Sequence, residues 1–342
     1  MDNPKILFVS QPVGFPVPSV NTSYEVEKVV LDDFRLDGGI LIEAILLSLD
    51  PYMRGRMNVN HDSYIEAFVP GKPLQGFGVA RVVRSGHHSF HEGQMVTGMI
   101  DFSKISVIDK ENIAKISRCP SVAPLDPSAW LGPLGIPGFS AFVGLRLLDE
   151  LMPNSPEPGN KLLVSGASGG VGMVAGQLAR QRGWQVVAVT GSDRGIEALR
   201  AVGTEYIVDR RTNIHDQLRR LAPLQAFFDG VGGEVLDAFL AVAAPHATII
   251  ACGMLSQFGG NGFSHGIRNP LAFVTKSITL RGFVASDYLH LKQTFLDELM
   301  PQLVSGDLQW LPSFVQGFDN LEEAFVDQVL RGNKVGKVIV KV

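Results

Sequence analysis

The spacing of apolar residues changes near residue 126 of this chain. Up to about residue 120, apolar and β-branched runs such as GILIEAILLSL and GVARVV are separated by glycine, proline and charged turns. This pattern predicts the strands of a mostly antiparallel β domain. Shortly after Asp126 come LGPLGIPGFSAFVGLRLLDEL and then PNSPEPGN, which predict a helix after the last proline of the first stretch, followed by a loop. We therefore place a domain boundary at this point.

Beyond the boundary, continuous apolar runs alternate with amphipathic segments. The runs are KLLVSG, QVVAVTG, YIVD, AFFDGVG and ATIIACG, and the segments between them include DRGIEALRAVG and NIHDQLRRLAP. This alternation is typical of β-α-β crossovers, and continuous apolar strands indicate a parallel sheet covered on both faces. The end of the chain, from LQWLPSFVQG to KVIVKV, is strand-rich again. The predicted fold class is α/β, with a doubly wound parallel sheet and a separate β-rich domain.

A glycine-rich stretch, SGASGGVG, lies between the first of these apolar runs and the helical segment GMVAGQLAR. The part of this stretch that ends at Gly172 has the pattern Ala167-x-Gly169-x-x-Gly172, which is a dinucleotide fingerprint with alanine in the first position. The missing side chains let backbone N–H groups approach a pyrophosphate at the start of the helix. A glycine-rich turn without a ligand is the alternative, but the flanking strand, helix and crossovers favour nucleotide binding.

The end of the next strand, WQVVAVTGSDRG, selects the nucleotide, because an acidic residue there binds a free ribose while cationic side chains accept a 2′-phosphate. Asp193 follows Ser192 and is either that acid or a cap of the next helix. Arg194, Arg210 and Arg211 lie at the predicted adenosine end. They are either solvated or bind phosphate, and their presence favours NADP over NAD.

Composition narrows the range of partners. The chain has 342 residues, a formal net charge of -4 and two cysteines, Cys119 and Cys252. A weakly acidic chain has no general attraction for nucleic acid or anionic lipid, and isolated cysteines offer neither a disulfide framework nor a zinc site. The amino end lacks a signal segment and no apolar run is long enough to span a bilayer. We therefore expect a cytoplasmic protein without nucleic-acid or membrane partners.

Several motifs of the chain resemble, in order and spacing, those of a known enzyme family. They are LSLDPYMRG, PGKPLQGFGVARV, LGIPGFSAFVGL, SGASGGVG with GQLAR, FFDGVGGEVLDAFL, CGMLSQF, LRGF and RGNKVGKVIVKV. The resemblance is to the zinc-free medium-chain dehydrogenases/reductases, and most of all to the prostaglandin reductase and alkenal double-bond reductase group. It covers nearly the whole chain, and DPYMR and FFDxVGG are much more specific than the glycine turn.

The resemblance implies a GroES-like substrate domain formed by residues 1–125 and completed by 305–342. It also implies a Rossmann NADP-binding domain over 126–304, with the active site between the two. NADPH would deliver hydride to the β-carbon of an α,β-unsaturated aldehyde or ketone, and the protein would be a homodimer. Cofactor contacts are expected at Gly169, Gly170, Val171, Gly172, Cys252, Gly253, Met254, Leu255, Ser256, Phe283, Val284, Ala285 and Asn333, with Ser192, Arg194 and Arg210 at the adenosine end.

Some positions depart from the family pattern. Gly195 and Arg210 replace a lysine and a tyrosine that address the 2′-phosphate in relatives, so Arg194 and Arg210 are expected to supply the charge. Gly230 replaces an asparagine, which removes one hydrogen bond to the cofactor. Thr275 replaces a tyrosine, so no catalytic role is transferred to it. The cysteine, the Gly-His-Glu and the four-cysteine lobe of zinc-dependent relatives are missing from the sequence, and we expect no metal.

Reduction of an activated double bond needs a hydride donor, a group that stabilises charge on the carbonyl oxygen, and a proton for the α-carbon. Tyr52, in DPYMR, is the candidate for the carbonyl oxygen, and Tyr64 is the second choice. The alternative for Tyr52 is a packed turn residue with one hydrogen bond, and water is the simplest proton source. Arg54 either holds the substrate or forms a salt bridge in the β domain.

Other side chains that could carry chemistry have simpler explanations. His87, His88 and His91 resemble a metal cluster, but their position beside glycines favours a solvated turn. Cys252 could be a nucleophile, although backbone contacts to the cofactor explain its position better. Ser140 matches a hydroxyl that relatives aim at the nicotinamide amide, or it is an ordinary residue at a helix start.

The sequence therefore predicts an NADP-dependent, zinc-independent oxidoreductase, an enone or alkenal reductase acting on a small molecule. A quinone reductase and a hydroxy-lipid dehydrogenase of the same fold are alternatives, as is a cofactor-binding regulatory protein without turnover. The long loop SQFGGNGFSHGIRNP shapes the substrate pocket, and its conformation cannot be read from the sequence.

Overall fold

The computed structural model describes residues 1–58, 63–258 and 265–342. These residues form two compact units, each built from separate parts of the chain. The first unit contains Met1–Leu131, Pro312–Gly332 and Lys337–Val342, and the second contains Gly132–Leu311 and Asn333–Gly336. Both ends of the chain thus belong to the first unit, and a short stretch near the end belongs to the second.

Strands dominate both ends of the chain, and helices alternate with strands in the middle. The strands are β1 (Asp2–Phe8), β2 (Thr22–Lys28), β3 (Ile40–Ser48), β4 (Gln75–Ser85), β5 (Met95–Asp101), β6 (Ile105–Ile108), β7 (Ile116–Arg118), β8 (Lys161–Val164), β9 (Gln185–Thr190), β10 (Tyr206–Asp209), β11 (Leu224–Asp229), β12 (Ala243–Ala251), β13 (Thr279–Gly282), β14 (Pro312–Gln316) and β15 (Lys337–Lys341). The α-helices are α1 (Tyr52–Arg56), α2 (Ile136–Leu151), α3 (Gly170–Gln181), α4 (Asp193–Ala201), α5 (Ile214–Leu221), α6 (Gly233–Val242), α7 (Leu271–Thr275), α8 (Lys292–Ser305) and α9 (Leu321–Ala324). None of the helices in the described ranges has both the length and the apolar character needed to cross a membrane.

The first unit is a mostly antiparallel sheet with a separate hairpin. Its strands run in the order β14-β15-β3-β4-β5-β7, with β6 on β3, while β1 pairs with β2. Only β14 and β15 pair in parallel among these strands of the described chain. Burial alternates along β5, as expected for a strand with one face in the core. The predicted antiparallel β domain is confirmed.

The second unit contains a six-stranded sheet in the order β10-β9-β8-β11-β12-β13. All neighbouring strands in it are parallel. The strand order runs outward in both directions from β8, so the sheet has its topological switch point between β8 and β11. Open α/β sheets bind ligands at this point, outside the carboxyl ends of the strands. The order is that of a doubly wound Rossmann sheet, and the predicted fold class is confirmed.

Large apolar side chains fill the space between this sheet and its helices. Leu163, Val187 and Ile249 come from three different strands and are fully buried. Phe227 and Phe239 are also fully buried, and their ring centroids lie 4.9 Å apart. Strands that are covered on both faces need apolar residues at successive positions. This packing explains why the apolar runs of the sequence are continuous in the middle of the chain.

Candidate functional site

The glycine turn lies between β8 and α3 and leaves no room for side chains. A β-carbon at Gly172 would lie 2.5 Å from the carbonyl oxygen of Gly166, which itself has a positive φ of 57°. Gly169 is the N-cap residue of α3, which begins with Gly170 and Val171. The N–H groups in the first turn of a helix have no acceptor within the helix. The turn therefore offers hydrogen-bond donors to an anion that approaches the bare backbone.

A segment near the end of the chain returns to this turn. The backbone N–H of Gly336 donates to the carbonyl oxygen of Ser168 at 2.6 Å, and Gly336 forms a parallel bridge with Gly169. A β-carbon at Gly336 would lie 1.8 Å from the carbonyl oxygen of Leu311, so only glycine fits this close approach. Asn333, predicted as a cofactor contact, belongs to this same short segment of the second unit.

A buried serine and aspartate join the ends of β8 and β11. Ser165 Oγ donates to Asp229 Oδ1 at 2.6 Å and accepts from the N–H of Gly230 at 2.9 Å. Asp229 Oδ1 also accepts from the N–H groups of Val231 and Gly232, at 2.9 Å each. Burial raises the pKa of the Asp229 carboxyl, and these hydrogen bonds act in the opposite direction. The aspartate of FFDGVGG therefore fixes the loop after β11 against the end of β8.

The predicted contacts that follow β12 lie beside this loop. The N–H groups of Cys252 and Gly253 donate to the carbonyl oxygen of Asp229, at 2.8 and 3.1 Å. The N–H of Ser256 donates to the carbonyl oxygen of Val231 at 2.9 Å. The whole segment from 252 to 256 is thereby held along the backbone of the FFDGVGG loop.

The Cys252 thiol is poorly suited to act as a nucleophile. Burial, together with the nearby Asp229 carboxyl, raises the pKa of Cys252 to about 12. The thiolate is the nucleophilic form of cysteine, and a thiol with this pKa is almost entirely protonated at neutral pH. The backbone contacts of Cys252 explain its position, in agreement with the simpler of its two predicted roles.

Several hydroxyl groups gather at the carboxyl end of β9. Ser168 Oγ and Thr190 Oγ1 lie 2.8 Å apart, and Ser192 Oγ accepts from the N–H of Gly195 at 3.1 Å. Ser192 is thus the N-cap of α4, while Asp193 lies in its first turn, so the alternative in which Asp193 caps this helix is wrong. A β-carbon at Gly195 would lie 2.2 Å from Thr190 Oγ1. The backbone as it stands therefore has no space for the lysine that relatives carry here.

Arg211 is fully engaged by acidic side chains. Its Nη2 atom lies 2.6 Å from Asp193 Oδ1 and 2.7 Å from Asp209 Oδ2. Hydrogen bonds from this guanidinium hold the pKa values of both carboxyl groups below their usual range. Asp193 is therefore ionised and bound to an arginine of the protein.

Arg194 and Arg210 differ from Arg211 in this respect. Among the residues that the structure describes, neither guanidinium forms an ion pair. A β-carbon at Gly191 would lie 2.3 Å from Arg210 Nε, so the Arg210 side chain lies across the backbone at the end of β9. The N–H of Arg210 also donates to the carbonyl oxygen of Thr190 at 2.9 Å. These contacts place an unpaired cation beside the hydroxyl groups at this strand end.

Two other departures from the family pattern have different structural settings. The nearest heavy atom to a β-carbon at Gly230 would be the carbonyl oxygen of Ser165 at 3.9 Å, so a side chain would fit at this position. Thr275 is the exposed last residue of α7, and its Oγ1 donates to the carbonyl oxygen of Leu271 at 3.2 Å. The Thr275 hydroxyl is therefore used within its own helix.

The strand-end positions among the predicted cofactor contacts lie at one edge of the parallel sheet. β8 leads into the glycine turn, and the residues after the other strands are Ser192 and Arg194 after β9, Arg210 after β10, Cys252, Gly253, Met254, Leu255 and Ser256 after β12, and Phe283, Val284 and Ala285 after β13. This edge is where doubly wound sheets bind nucleotides. The bare glycine turn and the unpaired arginines fit a dinucleotide with a phosphate on its adenosine ribose.

In the first unit, Tyr52 is the first residue of α1 and its hydroxyl is buried. No hydrogen-bond partner reaches this hydroxyl among the described residues. Burial, with a contribution from the Asp50 carboxylate, raises the pKa of Tyr52 well above its usual value. The backbone of Phe77 acts in the opposite direction, as the smallest of the contributions. Tyr52 is thus packed at the start of a helix, as its alternative role supposed, but the one hydrogen bond of that alternative is not seen among the described residues. Tyr64 is 67% exposed.

Charged side chains hold the DPYMR segment in place. Arg54 donates to the carbonyl oxygens of Gly14 at 2.7 Å and Pro12 at 3.2 Å, and the salt bridge that was one of its two predicted roles is not found among the described residues. Lys337 Nζ is buried and lies 2.9 Å from Asp50 Oδ1. The turn that carries Tyr52 is therefore fixed by a buried ion pair to the last strand.

The remaining candidates have simple settings. Ser140 is buried inside α2, which begins at Ile136 after the N-cap residue Gly135, so the helix-start explanation for this serine is wrong. His87 and His88 lie in the turn between β4 and β5, with ring centroids 4.4 Å apart. In the part of the chain that the structure covers, no three His, Cys, Asp or Glu side chains are grouped as metal ligands. Residues 259–264 of the predicted pocket loop lie outside the described residues.

Comparison with known proteins gives the family. Residues 5–116 match a family described as the N-terminal domain of oxidoreductase, and residues 170–303 match one described as zinc-binding dehydrogenase. A 2-alkenal reductase (NADP(+)-dependent) of Nicotiana tabacum is 31% identical over 100% of this chain and 98% of its own length. This chain belongs to the medium-chain dehydrogenase/reductase family. Its two units are the GroES-like and Rossmann domains of that family.

Further relatives specify the type within the family. Prostaglandin reductase 1 of Sus scrofa is 29% identical over 96% of each chain. The crystal structure of CurA in complex with NADPH from Vibrio vulnificus has a TM-score of 0.87 at 27% identity, and the match covers 99% of both chains. The predicted resemblance to the zinc-independent reductases of the medium-chain family is confirmed, and so is the oxidoreductase class.

Sequence reasoning misses three contacts that hold the site together. They are the bridge from Gly336 to the glycine turn, the pairing of Ser165 with Asp229, and the pairing of Lys337 with Asp50. An aspartate directly after an apolar strand is a usable signal, because a buried carboxyl needs partners. The contacts of Gly336 with the glycine turn and of Lys337 with Asp50 join residues far apart in the sequence, so no local sequence pattern predicts them.

Proposed function

We propose that this protein reduces the carbon–carbon double bond of α,β-unsaturated aldehydes and ketones with NADPH. The Tyr52 hydroxyl carries the proposal, because it is buried, protonated at neutral pH and without a hydrogen-bond partner among the described residues. Such a hydroxyl is suited to donate to a carbonyl oxygen on which negative charge develops. The tobacco relative named 2-alkenal reductase supports the same class of reaction.

NADP is the cofactor of this oxidoreductase, as the NADP-dependent relatives and the NADPH-bound neighbour indicate. When bound, NADPH supplies the hydride. The glycine turn, with Gly169 and Gly172, would hold the pyrophosphate at the start of α3. Arg194 and Arg210 would bind the 2′-phosphate, since neither is neutralised by a carboxylate among the described residues.

The remaining predicted contacts would form the wall beside the nicotinamide ribose. The backbone of the 252–256 segment is fixed to the loop after β11 by hydrogen bonds, so its position would not need to change on binding. Phe283, Val284 and Ala285 follow the neighbouring strand and are half-buried. We propose that the second unit, Gly132–Leu311 with Asn333–Gly336, acts as the NADP-binding domain and that the first unit acts as the substrate domain. The bounds predicted from the sequence were 126–304 for the former and 1–125 with 305–342 for the latter.

Tyr52 would act on the substrate rather than on the cofactor. Hydride arrival at the β-carbon leaves negative charge on the carbonyl oxygen, and the Tyr52 O–H would donate a hydrogen bond to that oxygen. Its raised pKa keeps the proton on the phenol while the bond strengthens in the transition state. The α-carbon would take its proton from water. Tyr64, which is largely exposed, is the second candidate for the donor.

The proposal is tested by following a deuterium label from NADPH into the product. The purified protein is given an enal or an enone with NADPH that carries deuterium at the transferred position, and the products are analysed by NMR. We expect deuterium at the β-carbon, solvent hydrogen at the α-carbon, and much slower turnover with NADH. Reduction of quinones alone would favour the quinone reductase, and oxidation of allylic alcohols alone would favour the hydroxy-lipid dehydrogenase. Cofactor binding without any turnover would overturn the proposed reaction.

We also propose that the protein is a homodimer that associates through the β13 edge of the Rossmann sheet. All residues of β13 are exposed, and Leu271 and Val274 on the neighbouring α7 are 65% and 76% exposed. An exposed sheet edge with apolar neighbours is a surface that proteins usually cover. Light scattering should give twice the chain mass of 37.0 kDa, and Val274→Lys should lower it to that of one chain. A single-chain mass for the unaltered protein would refute the dimer.

A further inference from the structure

A cluster of opposite charges stands where the adenosine end of a dinucleotide is expected. Asp193 lies in the first turn of α4, shortly after the end of β9, and about twenty residues after the glycine turn, where Rossmann proteins that use NAD carry an acidic residue. That acidic residue accepts hydrogen bonds from the free ribose hydroxyl. Asp193 therefore has the chain spacing of an NAD-type carboxylate, at a sheet edge for which we propose NADPH.

Arg211 occupies both oxygens of this carboxylate. Its Nη2 lies 2.6 Å from Asp193 Oδ1, and its Nη1 lies 3.3 Å from Asp193 Oδ2. The same guanidinium contacts Asp209, with Nε 2.9 Å from Oδ1 and Nη2 2.7 Å from Oδ2. The backbone N–H of Arg211 also donates to Asp209 Oδ1 at 2.9 Å. One planar guanidinium therefore holds two carboxylates, and its own backbone is tied to one of them.

This arrangement differs from an isolated surface ion pair, although the Asp193 side chain is 81% exposed. A single exposed pair contributes little, because two long side chains must be fixed for one contact. Here Asp209 is the last residue of β10, and its backbone is in the sheet beside β9. Its pairing with Arg211 spans only two positions of the chain, so the guanidinium is fixed before it reaches Asp193. Asp193 is thus held by a pre-organised partner.

The charges around the predicted adenosine end then separate into two groups. Asp193 and Asp209 are both bound to Arg211, while Arg194 and Arg210 form no ion pair within the described residues. An approaching phosphate would meet the two unpaired arginines. If Arg211 were missing, the same phosphate would meet two carboxylates without their cation.

We propose that Arg211 determines cofactor choice by withholding Asp193 from the ribose hydroxyl of NADH. The same contacts keep the carboxylates of Asp193 and Asp209 from repelling the 2′-phosphate of NADPH. Arg211 is in this sense a specificity-determining residue that acts through Asp193, and no direct contact between Arg211 and the phosphate is needed. This inference rests on the proposed function, in which NADPH binds at this sheet edge.

Binding constants separate this role from that of an ordinary phosphate ligand. Arg211→Ala should weaken NADPH binding at least about tenfold and strengthen NADH binding about tenfold, because a charge-assisted hydrogen bond becomes available to the ribose. Arg210→Ala removes a direct phosphate ligand, so it should weaken NADPH binding and leave NADH binding unchanged. The gain in NADH affinity is therefore the decisive result.

A second substitution tests whether the effect passes through Asp193. In the Arg211→Ala, Asp193→Asn double variant the gain in NADH affinity should disappear, and part of the NADPH affinity should return because one uncompensated charge is gone. Asp193→Asn alone should leave NADH affinity unchanged, since the wild-type carboxylate is already bound to Arg211. Arg219→Ala is the matched control: Arg219 is an exposed arginine of α5 paired with Asp216 at 2.7 Å, and its loss should change neither constant.

The measurement is calorimetric titration of each full-length variant with NADPH and with NADH. Adenosine 2′,5′-bisphosphate and AMP serve as probes of the adenosine end alone, and thermal melts confirm that each variant is folded. An unchanged NADH constant in Arg211→Ala, or a gain that persists in the double variant, overturns the inference and leaves the proposed function intact. Equal wild-type affinity for NADPH and NADH overturns the inference together with the proposed preference for NADPH, and it leaves the proposed double-bond reduction untouched. Failure of the wild-type protein to bind either cofactor would overturn the proposed function itself.

Discussion

Tyr52 and Cys252 show how burial fixes the chemistry of single residues in this protein. Burial raises the pKa of both side chains, and the consequence depends on what each protonated group can do. A protonated phenol is a hydrogen-bond donor, whereas a protonated thiol is a weak nucleophile. Enals react with thiolates, so a Cys252 pKa of about 12 would also protect this cysteine from the proposed substrates.

Replacement of the Tyr52 hydroxyl should separate activity from stability. Tyr52→Phe should lower kcat for an enal about 100-fold, because removal of one donor to a developing oxyanion costs on that order. The melting temperature should stay the same or rise, since the lost hydroxyl is buried without a described partner. Steady-state kinetics and thermal melts measure the two effects. Unchanged kcat in this variant would remove Tyr52 from the mechanism.

The exposed Tyr64 supplies the matched control for this substitution. Tyr64→Phe should leave kcat within about twofold if Tyr52 is the donor.

The pH dependence of the rate is a second test of Tyr52. The donating form of Tyr52 is the protonated one, and its pKa lies well above the usual value of 10.0. The rate should therefore show no loss from Tyr52 ionisation as the pH rises from 7 to 9. A basic limb with a midpoint near 8 that vanishes in Tyr52→Phe would contradict this assignment.

At the scale of elements, the turn between β8 and α3 depends on the absence of β-carbons. A β-carbon at Gly172 would lie 2.5 Å from the carbonyl oxygen of Gly166, so the turn would have to move. Gly172→Ala should therefore weaken NADPH binding at least about tenfold and lower the free energy of unfolding by about 1–3 kcal/mol. Calorimetric titration and urea unfolding measure these two changes.

Gly176, on the same helix, is the control for this substitution. The nearest heavy atom to a β-carbon there would be Val186 Cγ1, at an ordinary contact distance of 3.7 Å. Gly176→Ala should leave NADPH affinity unchanged and stabilise the protein by up to roughly 1 kcal/mol, because alanine favours the helix. Equal effects of both substitutions on NADPH affinity would argue against a special role for the turn.

The last strand is joined to the DPYMR turn by the ion pair of Lys337 and Asp50. Both groups are buried, with side-chain exposures of 3% and 11%. Lys337→Met should lower the free energy of unfolding by about 3–5 kcal/mol, because it leaves the Asp50 carboxylate buried without its cation. The Lys337→Met, Asp50→Asn double variant should lose less than the sum of the two single variants. Urea unfolding of all three gives the coupling energy.

Arg81 and Glu43 form a comparison pair in the same sheet. Their side chains lie 2.6 Å apart but are 52% and 21% exposed. Arg81→Met should cost no more than about 1 kcal/mol, since solvent screens an exposed pair. If Lys337→Met cost no more than Arg81→Met, the buried pair would not fix the turn that carries Tyr52.

At the scale of the whole molecule, the proposed NADP site draws on distant parts of one chain. The second unit contains Gly132–Leu311 together with Asn333–Gly336, and the latter stretch is anchored at the glycine turn. Cofactor binding should therefore stabilise the unit as a whole.

The cellular location of the protein is not tested by its structure, and the cytoplasm stays a prediction from the sequence.

Thermal melts with each cofactor measure this stabilisation. NADPH at a concentration of about 100 Kd should stabilise the folded protein by about 2.7 kcal/mol and raise its melting temperature by a few degrees. NADH at the same concentration should produce a much smaller shift, because Arg194 and Arg210 find no 2′-phosphate to bind. Equal shifts with both cofactors would contradict the proposed selectivity for NADPH.

Much of this architecture could be predicted from the sequence because the signals are local. Continuous apolar runs predicted the parallel strands, and the glycine turn predicted the start of α3. The roles of Asp193 and Ser140 were harder to predict from the sequence. The N-cap of α4 is Ser192 and not Asp193, and α2 begins at Ile136, before Ser140. Both outcomes depend on competition between neighbouring groups, which residue preferences do not resolve.

The sequence by itself determined the fold class, the family and the bare glycine turn at the start of α3, because strand periodicity, turn glycines and ordered motifs are all properties of neighbouring residues. Tertiary structure alone decided which charges are free. It paired Asp193 with Arg211, and among the described residues it left the Arg210 guanidinium without an ion pair and the buried Tyr52 hydroxyl without a hydrogen-bond partner. The physical reason is that pairing and burial depend on distances between strand ends, and these distances exist only after the sheets have formed.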